Sequence, residues 1–264
     1  MSRSKSRWRQ NSDNFRILII GRANAGRTTV LQRVCESIDH PDIYDSAGKR
    51  VIDASVLAAA RDHGVHDIEH QMMFRHNPGF VFHVSCGFEA GGYTEFDKVK
   101  AFIARRSKNK HLNNRIHAIW YCIPMDDSFF TEGEIKFFSQ WDTGCIPVIV
   151  LFTKFDALYD DARAELISMG VSRNDAKAQA PQYAREVFAN GPQLRLLYNR
   201  RKGNQRPSKC HIYLAHMDDD LYNADCGPLI ERMAEALDDD TLKQLFVSTQ
   251  RTNLKACMRY AVER

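Results

Sequence analysis

The sequence predicts an α/β protein of three layers, in which a mainly parallel sheet with one antiparallel hairpin strand lies between helices on both faces. Three observations carry that expectation. Short apolar runs at residues 15–20, 80–84, 116–123, 147–152 and 211–215 recur along the chain. Most are followed by segments of helical periodicity, and repeated strand–helix units build parallel sheets. The runs are also continuous rather than alternating, as expected of strands covered on both faces.

The first run, from Phe15 to Ile20, ends at Gly21 and is followed by Thr28-Thr29-Val30-Leu31, which predicts a buried strand, a glycine loop and a helix to about Ile38. Residues 39–67 are polar and contain Pro41, so they read as a loop with one short helix around 54–61. Residues 68–76 alternate, Asn77-Pro78-Gly79 carries Pro and Gly in the order a type II turn prefers, and Phe80 resumes an apolar strand. A hairpin is expected there, its second strand beside the first strand of the chain. Phe96, Val99, Phe102 and Ile103 form a helical stripe. A strand over 116–123, a helix over 132–141 and a buried strand over 147–152 follow. One or two charged helices are expected over 160–189, a basic connector over 191–208, and a last strand at 211–215. Two final helices close the chain, the second starting at Asp238-Asp239-Asp240, where acidic side chains favour the positive end of the helix dipole.

Composition narrows the function. With 44% hydrophobic and 27% charged residues the 264-residue chain has the balance of a soluble globular protein and enough length for one large domain over residues 15–264. Residues 1–14 are basic and polar and are expected to be a disordered, solvated arm. No apolar run approaches the ~20 residues that span a bilayer. The seven cysteines are scattered without a C-x-x-C pair, which argues against a disulfide framework or a zinc site and for a reducing, cytoplasmic compartment. His63, His66 and His70 would share a face only if they lay on one helix, and no cysteine accompanies them. A net charge of +4 with mixed signs does not call for nucleic acid as a partner. Trp120 and Tyr121 lie in a strand and are expected in the core.

Gly21-Arg22-Ala23-Asn24-Ala25-Gly26-Arg27-Thr28 matches G-x-x-x-x-G-[KR]-[ST] between a strand and a helix, the context a phosphate loop requires. Gly21 and Gly26 let the backbone turn tightly, so that N–H groups from Asn24, Ala25 and Gly26 through Thr29 can meet phosphate oxygens. The helix beginning near Arg27 adds its positive end. The Thr28 hydroxyl is the candidate Mg²⁺ ligand. Arg27 replaces the usual lysine: it keeps the attraction for phosphate but is longer, planar and forked. A P-loop NTPase fold is therefore expected.

At the end of the buried run, Thr153-Lys154-Phe155-Asp156 looks like the T-K-x-D guanine-specificity motif of GTPases. The resemblance implies that Asp156 accepts hydrogen bonds from the N1–H and exocyclic amine of guanine while Lys154 lies along the ring. The whole chain from about Phe15 resembles a fungal branch of G-domain proteins in the septin-like and Toc-like part of the P-loop GTPases. The likeness runs through Asn77-Pro78-Gly79-Phe80-Val81-Phe82-His83, Gly87-Phe88-Glu89-Ala90-Gly91-Gly92, Ile116-His117-Ala118-Ile119-Trp120-Tyr121-Cys122-Ile123-Pro124 and Phe246-Val247-Ser248-Thr249-Gln250. It implies GTP or GDP with Mg²⁺ as ligands and a base pocket completed by the loop near His216-Met217-Asp218. It also raises the expectation of a homodimer across the nucleotide face or of a protein partner.

Besides Arg27, three features depart from that pattern. Relatives carry a D-x-x-G segment after the hairpin, whereas here the place reads Val84-Ser85-Cys86-Gly87. The aspartate that would orient water on Mg²⁺ is a valine. Losing one hydrogen bond to a charged partner weakens metal–nucleotide binding by about one to two decades. Gly87 can still offer its N–H to a γ-phosphate, but Phe88 stands where many GTPases have a water-orienting glutamine. No threonine lies between Thr29 and Thr94 to close over the metal; Ser46 and Ser55 are the candidates to substitute for it, neither in a convincing context. Two functions follow: a slow GTPase or nucleotide-dependent switch, with Arg27 and Gly87 as its catalytic groups, and a pseudo-GTPase scaffold that acts through protein–protein interaction.

Overall fold

The computed structural model describes residues 14–51, 67–85, 93–127, 130–198, 208–218 and 226–249. At its centre is β1 (Phe15–Gly21), buried along its whole length. It is flanked in parallel by β4 (Asn77–Val84) and β5 (Ala118–Pro124), with Phe15 opposite Phe80 and Ile17 opposite Ala118. Beyond β5 come β6 (Val148–Thr153) and β7 (Ser208–Tyr213), both parallel to it. On the other side β3 (Gln71–Phe74) runs antiparallel to β4 and to the edge strand β2 (Asp42–Tyr44). The order is β2-β3-β4-β1-β5-β6-β7, with β3 the strand of opposite direction.

Side chains alternate along each strand, so the sheet has two apolar faces. On one face Ile17, Ile19, Trp120 and Leu151 pack under α1 (Arg27–Val34), α7 (Gly227–Ala236) and α8 (Asp240–Thr249). On the other, Leu18, Ile20, Tyr121 and Phe152 meet α2 (Tyr93–Ser107), α3 (Glu132–Gln140), α4 (Tyr159–Ser168), α5 (Arg173–Asn190) and α6 (Pro192–Tyr198). Of the predicted stripe, Val99, Phe102 and Ile103 are buried and Phe96 packs half-buried against the same cluster; Trp120 and Tyr121 are core residues on opposite faces. This is a three-layer α/β architecture, mainly parallel with one antiparallel hairpin strand, as the sequence predicts. No helix among the described residues is long and apolar enough to cross a membrane.

Several boundaries differ from expectation for identifiable reasons. The 39–67 stretch is not all loop: residues 42–44 form β2, held by pairing to β3 rather than by any pattern of their own. The hairpin turns at Arg75-His76, with Phe74 opposite Asn77, so Asn77-Pro78-Gly79 belongs to β4. Pro78 sits before the pairing with β1 starts at Phe80. Gly79 serves close approach, since a Cβ there would lie 2.8 Å from the Cβ of Thr249 on α8. Helix α1 stops at Val34, before Glu36 at φ 48°. Part of the connector at 191–208 is the helix α6, whose Leu194 and Leu197 pack into the core. The arm at 1–13, the helix expected at 54–61, Gly87 and the chain beyond Thr249 lie outside the described residues.

At the end of the sheet where β1 begins, Arg16 is buried among polar partners. Its backbone N–H donates to His117 Nδ1 at 3.0 Å, and its guanidinium reaches Gln71 Oε1 at 3.1 Å and His83 Nε2 at 3.4 Å. Burial, reinforced by the Arg16 charge, pushes His83 down to about 3, and burial pushes His117 down to about 4. Both rings are neutral in the native protein and protonate near 6.5 once unfolded. The unfolded chain therefore binds more protons below 6.5, and stability falls as pH falls through that window. Unfolding free energy measured in urea drops by about 1.4 kcal/mol per pH unit for each histidine between about pH 6.5 and about pH 4. In His83→Asn that slope is shallower by one histidine's share.

Candidate nucleotide site

Strands β1, β4, β5, β6 and β7 run in one direction and end at one edge, at Gly21, Val84, Pro124, Thr153 and Tyr213. The chain passes from β1 to β4 on one side and then to β5 on the other. Ligands of open α/β sheets bind at such a switch point, beyond the carboxyl ends of the strands.

The 21–28 loop crosses that edge. Gly21 has φ 148°, and a Cβ on it would lie 2.2 Å from the Cys122 carbonyl oxygen, so only glycine fits. Beyond it the Ala25 N–H turns back on the Arg22 carbonyl at 3.4 Å. Asn24 and Gly26 take left-handed conformations, φ 57° and 67°, which curl the backbone into a shape that gathers N–H groups on its concave side. Helix α1 then starts at Arg27 with no side-chain cap on Gly26 and no acidic residue in its first turn. The first N–H groups of a helix need outside partners, and an anion meets both that need and the dipole. By contrast, α3 is closed by a capping box between Thr131 and Glu134.

A second segment meets the loop from β6. Thr153 Oγ1 donates to the Ala25 carbonyl at 3.0 Å in the buried interior, across 128 residues of sequence. Lys154 follows in a left-handed conformation, φ 52°, and its Nζ is 2.6 Å from Asp126 Oδ2. Asp156 stands in the next turn, its side chain 30% exposed. The backbone N–H of His216 donates to Asp156 Oδ1 at 2.8 Å. That third segment, the loop after β7, is held to α1 as well: Arg33 Nε donates to the Met217 carbonyl at 2.8 Å. Gly21, Asn24, Ala25, Gly26, Arg27, Thr28, Thr29, Thr153, Lys154, Asp156 and His216 thus lie along one edge of the sheet.

Individual positions have their own surroundings. The Arg27 guanidinium donates to the carbonyl of Ser85, just past β4. Thr28 is exposed and Thr29 half-buried on the first turn of α1. Val84 is buried in the apolar cluster it shares with Val30 and Leu31 of that helix. Burial pushes the Cys122 thiol under the loop up to about 12, so it stays protonated.

Four charged residues at this edge escape a motif reading. Arg22 is buried and forks onto Glu134, with Nε to Oε1 and Nη2 to Oε2 both at 2.7 Å. Its Nη1 is 2.9 Å from Asp127 Oδ2. Asp126, the neighbour of Asp127, is the carboxylate on Lys154. The Thr131-Glu132-Gly133-Glu134 spacing signals a helix start in the sequence, but nothing local links Glu134 to Arg22.

No family model matches the sequence, and no curated protein matches it. Among solved structures the chain is similar to a septin GTPase domain from Chlamydomonas reinhardtii, at 13% identity and a TM-score of 0.33. That match spans 59% of this chain and 59% of the septin domain, and so loose a likeness assigns no activity.

Gly21→Ala forces a Cβ against a backbone carbonyl at a φ that L-residues avoid. The expected loss is about 2–4 kcal/mol of unfolding free energy, read as a lower urea midpoint.

Proposed function

We propose that this chain binds a guanine nucleotide, with its phosphates in the 21–28 loop and its base between Asp156 and the loop at His216. The observation that supports this most is that an anion-ready helix start and a half-open carboxylate lie on the same sheet edge, coupled through the Thr153–Ala25 hydrogen bond. The phosphate end offers backbone N–H groups and an uncapped helix. The base end offers Asp156, whose Oδ1 is oriented by the His216 N–H. Guanine presents two donors to such a carboxylate and adenine presents none there. Hydrogen bonds to a charged partner contribute about 1.5–3 kcal/mol, so the discrimination is on the order of 10–100-fold.

Mg²⁺ fits this edge only in part. Thr28, exposed at the start of α1, is the residue that would hold it, and the ion would supply charge neutralisation at the phosphates. Val84 is apolar and buried, and it contributes no oxygen. The residues therefore favour binding over chemistry: a slow GTPase or nucleotide-dependent switch, with Arg27 as the cation beside the phosphates. For that role Arg27 exchanges the Ser85 carbonyl for phosphate oxygen. A second reading, a pseudo-GTPase scaffold, is favoured by the buried Val84 alone.

Two measurements test these readings. A fluorescent guanine nucleotide binds more tightly than its adenine analogue, and Asp156→Ala abolishes the difference; equal affinities in the unmodified chain would refute the guanine assignment. Val84→Asp combined with Arg27→Lys raises Mg²⁺-dependent GTP turnover, whereas an unchanged rate would show that these positions do not limit it.

A further inference from the structure

We infer that Arg22 and Glu134 are a positioning pair that fixes the curl of the phosphate loop from beneath. What the loop holds rests on the nucleotide reading; the pairing itself does not. Arg22 is the first residue after Gly21, so its backbone is loop while its side chain is 8% exposed. Both oxygens of a fully buried carboxylate receive its fork. Two parallel N–H···O bonds fix direction as well as distance, which a single point charge does not.

The anchor at the other end is itself rigid. Glu134 sits in the first turn of α3, and its Oε2 also accepts the Thr131 N–H at 2.8 Å. That helix is clamped onto β5 by Phe137 and Phe138, whose ring centroids lie 4.7 Å and 4.8 Å from that of Tyr121. The loop therefore has two fixed points: the Arg22 side chain on α3 and the Ala25 carbonyl on Thr153 of β6. Between and around them lie the glycines and left-handed residues that would otherwise let it wander.

Arg22 acts through the backbone and not as a phosphate contact. Its charge is matched by Glu134 and by Asp127, whose side chain is 67% exposed. Replacing a buried ion pair by apolar residues is often neutral for stability. The gain assigned here is therefore one loop conformation.

The test is amide hydrogen exchange on the full chain without ligand, followed by titration with fluorescent GDP. Glu134→Gln keeps an oxygen for the Thr131 N–H but loses the charge and the matched fork. Arg22→Lys keeps the charge and loses the fork. In each variant, exchange at residues 22–26 is expected to quicken about tenfold while β5 and β6 are unchanged, with GDP affinity falling about tenfold. Unchanged exchange at 22–26 in both variants overturns the assignment. So does a uniform acceleration across β1, β5 and β6 in both, because the pair would then serve global stability. If loop exchange responds and the unmodified chain does not bind GDP, the pair stands and the nucleotide reading fails.

Discussion

A hydroxyl on the last residue of β6 donates to a carbonyl in the middle of the loop that follows β1, and the candidate site depends on that contact. Thr153 and Ala25 are far apart in sequence, and β5 lies between their strands. Their hydrogen bond is buried, so leaving either atom without a partner would cost about 1–3 kcal/mol of desolvation. It ties the curl of the 21–28 loop to the end of β6, just before the turn that carries Asp156. Parallel pairing supplies the rest: with β1, β5 and β6 in register, every loop at this edge starts from the same level. A one-residue slip would exchange the two faces and bury the wrong side chains.

Electrostatics at this edge are largely settled inside the protein. Arg22 is answered by Glu134 and Asp127, Lys154 by Asp126, and the Arg27 guanidinium rests on a carbonyl. These partnerships differ in kind. The Arg22–Glu134 pair is buried and geometrically fixed. The Lys154–Asp126 pair is close to half-exposed on both sides, so it holds loosely and exchanges readily with solvent or ligand. On the nucleotide reading proposed above, rigidity would sit under the phosphates and adaptability at the base. Phosphates are common to all nucleotides and need a fixed cradle, whereas the base would be chosen by a carboxylate oriented through one backbone N–H.

Much of this was legible in the sequence because local and global signals agreed. The continuous apolar runs could only be strands covered on both sides, and a glycine loop between a strand and a helix has few uses. Legibility failed where structure was set by distant partners. β2 has three residues in a polar stretch and exists because β3 pairs with it. Pro78-Gly79 carries a strong turn signal, yet Gly79 is small because Thr249 of α8 crowds it. Helix α6 hides in a basic segment and is held by Leu194 and Leu197, a spacing too short to stand out. In the site, the motif residues were readable, but the Glu134 fork under Arg22 was not, since 112 residues separate them and no local pattern encodes the pairing.

The same contrast bears on the proposed nucleotide site. Features that shape its loop are deep in the structure: Gly21 against Cys122, Thr153 under Ala25, Glu134 under Arg22. On that reading, the position that would tune metal chemistry belongs to the core, since Val84 is buried in the same apolar cluster as Val30 and Leu31. A valine suits that apolar cluster, where a carboxylate would need either a metal or a hydrogen-bonding partner to offset its desolvation. On the reading proposed above, recognition and hydrolysis are therefore separable. A cradle needs backbone shape, which the core enforces, while turnover would need specific oxygens around a metal, and Val84 offers no side-chain oxygen. Under that reading, a domain that senses which nucleotide is present matches these residues better than one that consumes it quickly.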